Sequence, residues 1–466
     1  MQPIVRTPSV NPRGKLGQRL SAAALLVLGV ATTAQAQSLQ ALLEAARAYD
    51  ATYLAAKAQF DANRAKAEQA RSRVLPTVGL SAEAFVNRRD SSLNALDDSF
   101  NNQTVKLGAS HPLYRPGNQI EVEQAQRALQ AAEAQLQAAE QELIVRVAQA
   151  YFDVLAAEDT LTFVRAQKAA VEQQLAAAKR NFEVGTATIT DTREAQARYD
   201  LVLAQEIAAH NDLRVKKLAL DQLVGQSNTQ PWRLRDDALP TPTPDDVQTW
   251  VQRAVAEHPA VRAAQAQLDI AKLDVRKAQA AKGPTLDAVA QWQWNRAPSS
   301  NPPFPYLRNQ VASSNPPFPY LRNQVASIGV QFNLPLYTGG ALDNRIAETV
   351  ALEDKARNDL EAATRNVSQA TRAAFFGVQS GLGQVRALQA AEASSQLALE
   401  ANQVGYQVGV RINIDVLNAQ SQLYQTKAQL AKARYDVLVG QLKLRQAAGV
   451  LGADDVKPIN ERLQPR

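Results

Sequence analysis

Three histidines, His111, His210 and His258, are the only imidazoles in 466 residues, and there is no cysteine. That composition excludes a thiolate zinc site, an iron–sulfur cluster, a cysteine nucleophile and a lipid-modified N-terminal cysteine. His210 and His258 lie in charged helical surroundings and His111 abuts the end of an alternating stretch, so no nucleophile, base and orienting group can be assembled. No P-loop or dinucleotide fingerprint is present, and neither an enzyme activity nor a cofactor or metal is expected. The most suggestive spacing recurs at two places. Phe182-Glu183-Val184-Gly185 leads to Thr190-Asp191, and Tyr406-Gln407-Val408-Gly409 leads to Ile414-Asp415. Glycine ends a helix and lets the chain reverse, and an aspartate six residues on can start the next helix by interacting with its N-terminal amides.

Those two motifs belong to a chain written twice. Pro112-Leu113-Tyr114-Arg115-Pro116-Gly117 returns as Pro335-Leu336-Tyr337-Thr338-Gly339-Gly340, and Pro76-Thr77 returns as Pro284-Thr285. The halves keep one offset to within a residue once a tandem duplication is allowed for: Ser299–Ala312 is copied letter for letter as Ser313–Ala326. Each half holds two stretches of period-2 alternation. Val78, Leu80, Ala82, Ala84 and Val86 alternate with polar residues, as do Val105, Leu107 and Ala109. In the second half the apolar sets are Leu286, Ala288, Ala290, Trp292 and Trp294, then Ile328, Val330, Phe332, Leu334 and Leu336. Four amphipathic strands of about ten residues are predicted, a length that crosses a bilayer when tilted.

Between the strand pairs the period becomes helical. Gly117 to Phe182 contains no internal Pro or Gly, and Leu129, Leu136 and Leu143 recur every seven with Ala132 and Ala139 between them. The second half repeats this with Leu360, Val367 and Ala374, although Gly377, Gly381 and Gly383 weaken the pattern; the closing helix carries Leu423, Leu430, Val437, Leu444 and Leu451. Such helices suit a coiled-coil rod rather than a compact globule. At the other end of the chain, Arg6, Arg13, Lys15 and Arg19 precede an apolar stretch from Leu20 and an Ala34-Gln35-Ala36 ending, which reads as a signal peptide cleaved after Ala36. Its loss removes four charges from a formal +6, leaving +2, so no electrostatic footprint for nucleic acid remains.

Over essentially the whole mature chain, the duplicated halves, the strand-ending Pro112-Leu113-Tyr114 and Pro335-Leu336-Tyr337, and the two turn motifs resemble the TolC family of outer-membrane efflux and secretion channels. The resemblance implies an α+β membrane protein in the cell outer membrane, with four strands per chain contributing to a trimeric 12-stranded β-barrel. A long antiparallel α-helical coiled-coil tunnel in the periplasm would continue it. It also implies a homotrimer engaged by a periplasmic adaptor protein and an inner-membrane ABC or proton-driven transporter. By the same resemblance, polar links close the tunnel tip, which maps the gate onto Thr190, Asp191, Tyr406 and Arg411. Asp415 matches a cation-attracting ring position, and Asn418 stands where some relatives carry a second acid.

Elementary physics reaches part of this. Four strands cannot close on themselves, and an open edge in lipid leaves backbone groups unpaired; two copies give eight strands with a filled interior, three give 12 and a lumen. Trp292 and Trp294 fit an interfacial aromatic girdle, with Tyr114 and Tyr337 at the opposite rim, in contact with outer-membrane lipid. The expected organisation is a leader (1–36), N-terminal helices (37–75), a first β-hairpin (76–114), a helical hairpin (115–224) and an irregular equatorial connector (225–259). A helix (260–283), a second β-hairpin (284–337) with the duplicated loop at 299–326 outside the cell, a second helical hairpin (338–451) and a tail (452–466) follow. The expected role is a passive conduit for type I protein secretion. Multidrug efflux is an alternative, and a soluble periplasmic coiled-coil adaptor is the rival of another class.

Overall fold

The computed structural model describes residues 37–89, 98–235, 239, 245–298 and 320–465. The leader, and the duplicated segment as far as residue 319, lie outside the described residues. In chain order the elements are α1 (Leu39–Tyr49), α2 (Ala51–Arg71), β1 (Thr77–Arg89), β2 (Asp98–Tyr114), α3 (Pro116–Glu183), α4 (Ile189–Val224), β3 (Arg233–Leu234), α5 (Val247–Glu257) and α6 (Pro259–Ala280). Then come β4 (Thr285–Pro298), β5 (Tyr320–Asn333), α7 (Ala341–Gln407), α8 (Asn413–Ala447), α9 (Lys457–Asn460) and β6 (Leu463–Gln464).

The two β-hairpins join into one antiparallel sheet in the order β1-β2-β4-β5. Register carries the alternation across all four strands. Leu80 faces Leu107, Leu107 faces Trp292 and Trp292 faces Ala326; two residues along, Val78, Ala109, Ala290 and Ile328 line up in the same way. One face of the sheet is therefore apolar and exposed, with Ile328 89% and Val86 81% accessible. The other face presents Glu83, Thr104, Lys106, Asp287, Gln291, Gln293 and Gln331. Where that polar face meets the helices, Arg115 Nη2 donates to the buried Asp287 Oδ2 at 2.6 Å.

The strands run to 13, 17, 14 and 14 residues, longer than the alternation predicts. The largest difference is at β5, which begins at Tyr320, inside the second copy of the duplicated unit, where a loop to Ala326 is predicted. Tyr320–Ala326 contains no proline and pairs residue for residue with Trp292–Pro298. Its outward positions turn polar at Gln324 and Arg322, which hides the period from the sequence.

α3 runs unbroken for 68 residues, about 100 Å at 1.5 Å per residue. Its counterpart in the second half, α7, runs for 67, through Gly377, Gly381 and Gly383. Of the three, Gly381 sits where α7 meets α8, while Gly377 and Gly383 face open space. A Cβ on Gly381 would come within 3.0 Å of Val437 Cγ2, and one on Gly440 of α8 within 3.4 Å of Val378 Cγ2. α4 folds back along α3, and Glu206 accepts from Lys168 Nζ at 2.6 Å and Arg165 Nε at 3.1 Å. Those two cations, Lys168 foremost, hold the Glu206 carboxyl below the usual carboxylate range. The heptad residues of α8, Leu423, Leu430, Val437 and Leu444, are buried, as is Leu451 just beyond it.

The largest core lies at the waist. Leu39, Leu42 and Leu43 of α1 share one buried cluster with Leu143, Tyr151, Phe152 and Leu155 of α3 and with Leu438 and Leu442 of α8. Each such burial stabilises by about 1.5–3 kcal/mol. Tyr151 donates from its hydroxyl to the carbonyl of Trp232 at 3.1 Å. The tail closes onto this belt through β6, antiparallel to β3. The connector read as irregular contains α5, capped by Asp246, whose carboxylate accepts from Thr249 and Gln248. No proline lies between 244 and 259, so nothing in that window prevents a helix.

Candidate gate at the helical tips

The two tips are built alike. Val184 and Val408 bond back four residues, Gly185 and Gly409 both take φ +78°, and the next two amides of each turn converge on one carbonyl. In the first half Thr186 and Ala187 donate to Asn181 O (2.8 and 3.2 Å); in the second Val410 and Arg411 donate to Gly405 O (2.9 and 3.0 Å). Left-handed φ with no side-chain penalty is what glycine supplies at both turns.

The turns diverge at the next helix start. Thr188 caps α4 by accepting from Asp191 N at 3.2 Å, and Asp191 returns the bond, accepting from Thr188 N at 2.9 Å and from its hydroxyl at 2.8 Å. This capping box occupies the Asp191 carboxylate. At the matching position α8 has Ile412, which has no side-chain acceptor, and Asp415 instead faces Arg411 Nη1 at 3.7 Å. The Arg411 stem lies on Gly405, where a Cβ would meet its Cγ at 2.7 Å. Thr190 is exposed, and Tyr406 packs its ring on Leu399, Val416 and Leu423. Among the described residues, no hydrogen bond or ion pair joins Tyr406 or Arg411 to Thr190 or Asp191 within the chain.

What joins the two hairpins is a different set. Asn413, fully buried at the start of α8, accepts from Gln174 Nε2 at 2.5 Å and donates to the Asp191 carbonyl at 3.4 Å. Arg198 Nη2 donates to Asn418 Oδ1 at 2.6 Å, and Gln167 to the Ser421 hydroxyl at 3.3 Å. Leu417 seals the apolar part against Val171, Leu175, Ala178, Ala195 and Val202. Asn413 escapes sequence reading because a polar residue beside a turn looks solvated; its clue is that the first half has Ile189 there. Asn418 is legible only as a departure from an acidic pattern.

At the far end of the molecule, Trp292 and Trp294 both lie on the apolar face, one strand turn apart. Tyr114 ends β2, and Tyr337 stands in the link from β5 to α7, 89% accessible. Among the described residues, no helix is long and apolar enough to cross a membrane.

An amphipathic sheet attached at one end to helical hairpins of about 100 Å defines a chain of the outer-membrane channel class. Residues 42–226 and 250–450 match the family described as outer membrane efflux protein. The outer membrane protein TolC of Vibrio cholerae is 33% identical over 92% of this chain and 94% of its own. The alkaline protease secretion protein AprF of Pseudomonas aeruginosa is 30% identical over 68% of this chain and 63% of its own. The crystal structure of the outer membrane protein VceC of Vibrio cholerae superposes with a TM-score of 0.72 at 21% identity, covering 88% of this chain and 96% of that one. The chain belongs to the outer membrane efflux protein family: it is an outer-membrane channel protein with a periplasmic helical tunnel.

Proposed function

We propose that three copies of this chain close into a 12-stranded barrel and form the exit duct of a tripartite export system, passive in itself and energised by an inner-membrane transporter through a periplasmic adaptor. The observation that carries this reading is the sheet with two free edges. β1 and β5, 13 and 14 residues long, have no partner on their outer sides among the described residues, and the face they share is apolar. In hydrocarbon each unpaired backbone group costs several kcal/mol, so β5 of one copy must pair with β1 of the next. Three copies of four strands leave a lumen.

Polypeptide export by a type I system is favoured over small-molecule efflux by two facts. The chain has no cysteine for a lipid anchor, and a relative at 30% identity is named for protease secretion. Closure falls to the tips, with Thr190 and Asp191 meeting Tyr406 and Arg411 between neighbouring protomers, since no such link exists within one, and with Asp415 repeated three times around the axis. The test is a chromosomal deletion in the source cell. Loss of a secreted polypeptide from the medium, restored by the gene in trans, with unchanged sensitivity to dyes and detergents, is expected. Drug hypersensitivity with intact secretion would assign the duct to efflux.

A further inference from the structure

The outward face of the sheet ends in cations. Arg296 of β4 and Arg322 of β5 are direct cross-strand partners, and both fall on the face that carries Trp292, Trp294, Ile328 and Val330. Arg88 of β1 shares that face. No Asp or Glu occupies an outward position of the four strands among the described residues. The height of the pair follows from strand geometry. Phe332, beside the helices, and Arg322 are ten residues apart on β5, about 33 Å along a strand and about 25 Å along the normal at a tilt of about 40°. That is the thickness of the apolar band. The helices leave the sheet at the Phe332 end, so the arginines stand at the outer rim, level with the headgroups of the outer leaflet and just above the two tryptophans.

We propose that Arg296 and Arg322 form a binding site for a phosphate-bearing lipid of the outer leaflet. Its acyl chains lie along Trp292 and Ala326, and its phosphate is gripped by two guanidinium forks. The register sets the two guanidinium groups side by side on one face, where a single phosphate can meet both. Arginine suits the site because its planar donors match phosphate oxygens in pairs. The position is built into the fold, since the register that pairs Trp292 with Ala326 also pairs the two arginines.

The test uses the full-length protein purified in detergent and stripped of lipid, titrated with diphosphorylated lipid A, with the same lipid after dephosphorylation, and with inorganic phosphate, with bound adducts counted by native mass spectrometry. The wild type should hold the diphosphorylated lipid at least tenfold more tightly than the dephosphorylated one. Arg296→Gln with Arg322→Gln should remove that preference, and the double lysine variant should keep part of it. Should the double variant fail to assemble, Arg322→Gln alone, at the exposed end of an edge strand, is expected to lose threefold or more. Equal retention of both lipids by the wild type, or an unchanged preference in either glutamine variant, overturns the proposal. Displacement of the lipid by millimolar inorganic phosphate would also overturn it, by making the site one for the free anion.

Discussion

Ile412 against Thr188 is the smallest difference between the two tips and the one with the widest effect. With a hydroxyl, the tip spends its aspartate on a capping box; without one, the carboxylate of Asp415 remains available to Arg411. The 3.7 Å exposed pair is worth at most about 1 kcal/mol within a chain, so Arg411 can exchange Asp415 for groups on a neighbour at little cost. On the gating reading, Arg411→Ser with Tyr406→Phe should raise single-channel conductance in planar bilayers at least twofold without weakening the trimer. Asp415→Ala should bring the cation-to-anion permeability ratio toward unity. Unchanged conductance in the double variant would confine these residues to local helix packing. A second residue-scale effect lies at the waist. His258 caps α6 by accepting from Ala260 N at 3.1 Å through Nδ1, which requires that nitrogen to be unprotonated. Its backbone is pressed against Gly449, φ +75°, where a Cβ would meet His258 Cα at 2.4 Å. Burial pushes the His258 pKa below its ordinary 6.5. The unfolded chain therefore takes up this proton first, and stability falls as pH drops from about 6.5 toward the folded value. His258→Asn keeps an N-cap acceptor but cannot titrate, so its thermal midpoint should lose less between pH 7 and pH 5.5 than that of the wild type. Parallel pH profiles would remove His258 from the acid response.

At the scale of elements, the duplicated unit gives a sharp expectation. Because its copies are identical, deleting Ser313–Ala326 joins Ala312 to Ser327 and leaves β5 spelled Tyr-Leu-Arg-Asn-Gln-Val-Ala-Ser as before. The strand pairing with Trp292–Pro298 is preserved. The connection shortens from residues 299–319 to residues 299–305, and a threefold shorter loop changes closure entropy by about 1 kcal/mol. The deletion variant should assemble and export normally, its heat-modifiable oligomer dissociating at the same or a slightly higher temperature; loss of the oligomer would mean that the spare copy supports the barrel. The same strand marks the limit of what sequence shows. Alternation is legible only where one side of a strand meets hydrocarbon, and it fades at Gln324 and Arg322 although pairing continues. The long helices are legible from heptads whose leucines are buried in α8, but the passage of α7 through three glycines is not. Glycine propensity is local, whereas the Val437 contact that suits Gly381 lies about 56 residues away in sequence. The cross-hairpin bonds of Asn413 are hidden in the sequence for the same reason: the partners, Gln174 and Asp191, come from the other half.

For the whole molecule, everything depends on which face of the sheet meets lipid, and neighbouring residues of β5 settle that by parity. Ile328 lies near the middle of the apolar band and is 89% accessible in the isolated chain; Ser327, one residue earlier, points to the polar face with Gln331 and Gln293. An arginine at the bilayer midplane of a barrel costs about 2–4 kcal/mol. On the proposed three-copy barrel the penalty applies three times, on an edge strand whose pairing with the next copy would close the ring. Ile328→Arg should therefore abolish the heat-modifiable oligomer and leave the chain open to periplasmic proteolysis. On the same reading Ser327→Arg introduces that side chain into a water-filled lumen. It should assemble like the wild type and, by placing three cations around the pore, shift selectivity toward anions. If the two variants behaved alike, or if Ser327→Arg were the one that failed to assemble, the sheet would not be a closed barrel with its apolar face outward. The long helices would then have to find their partners as a soluble rod.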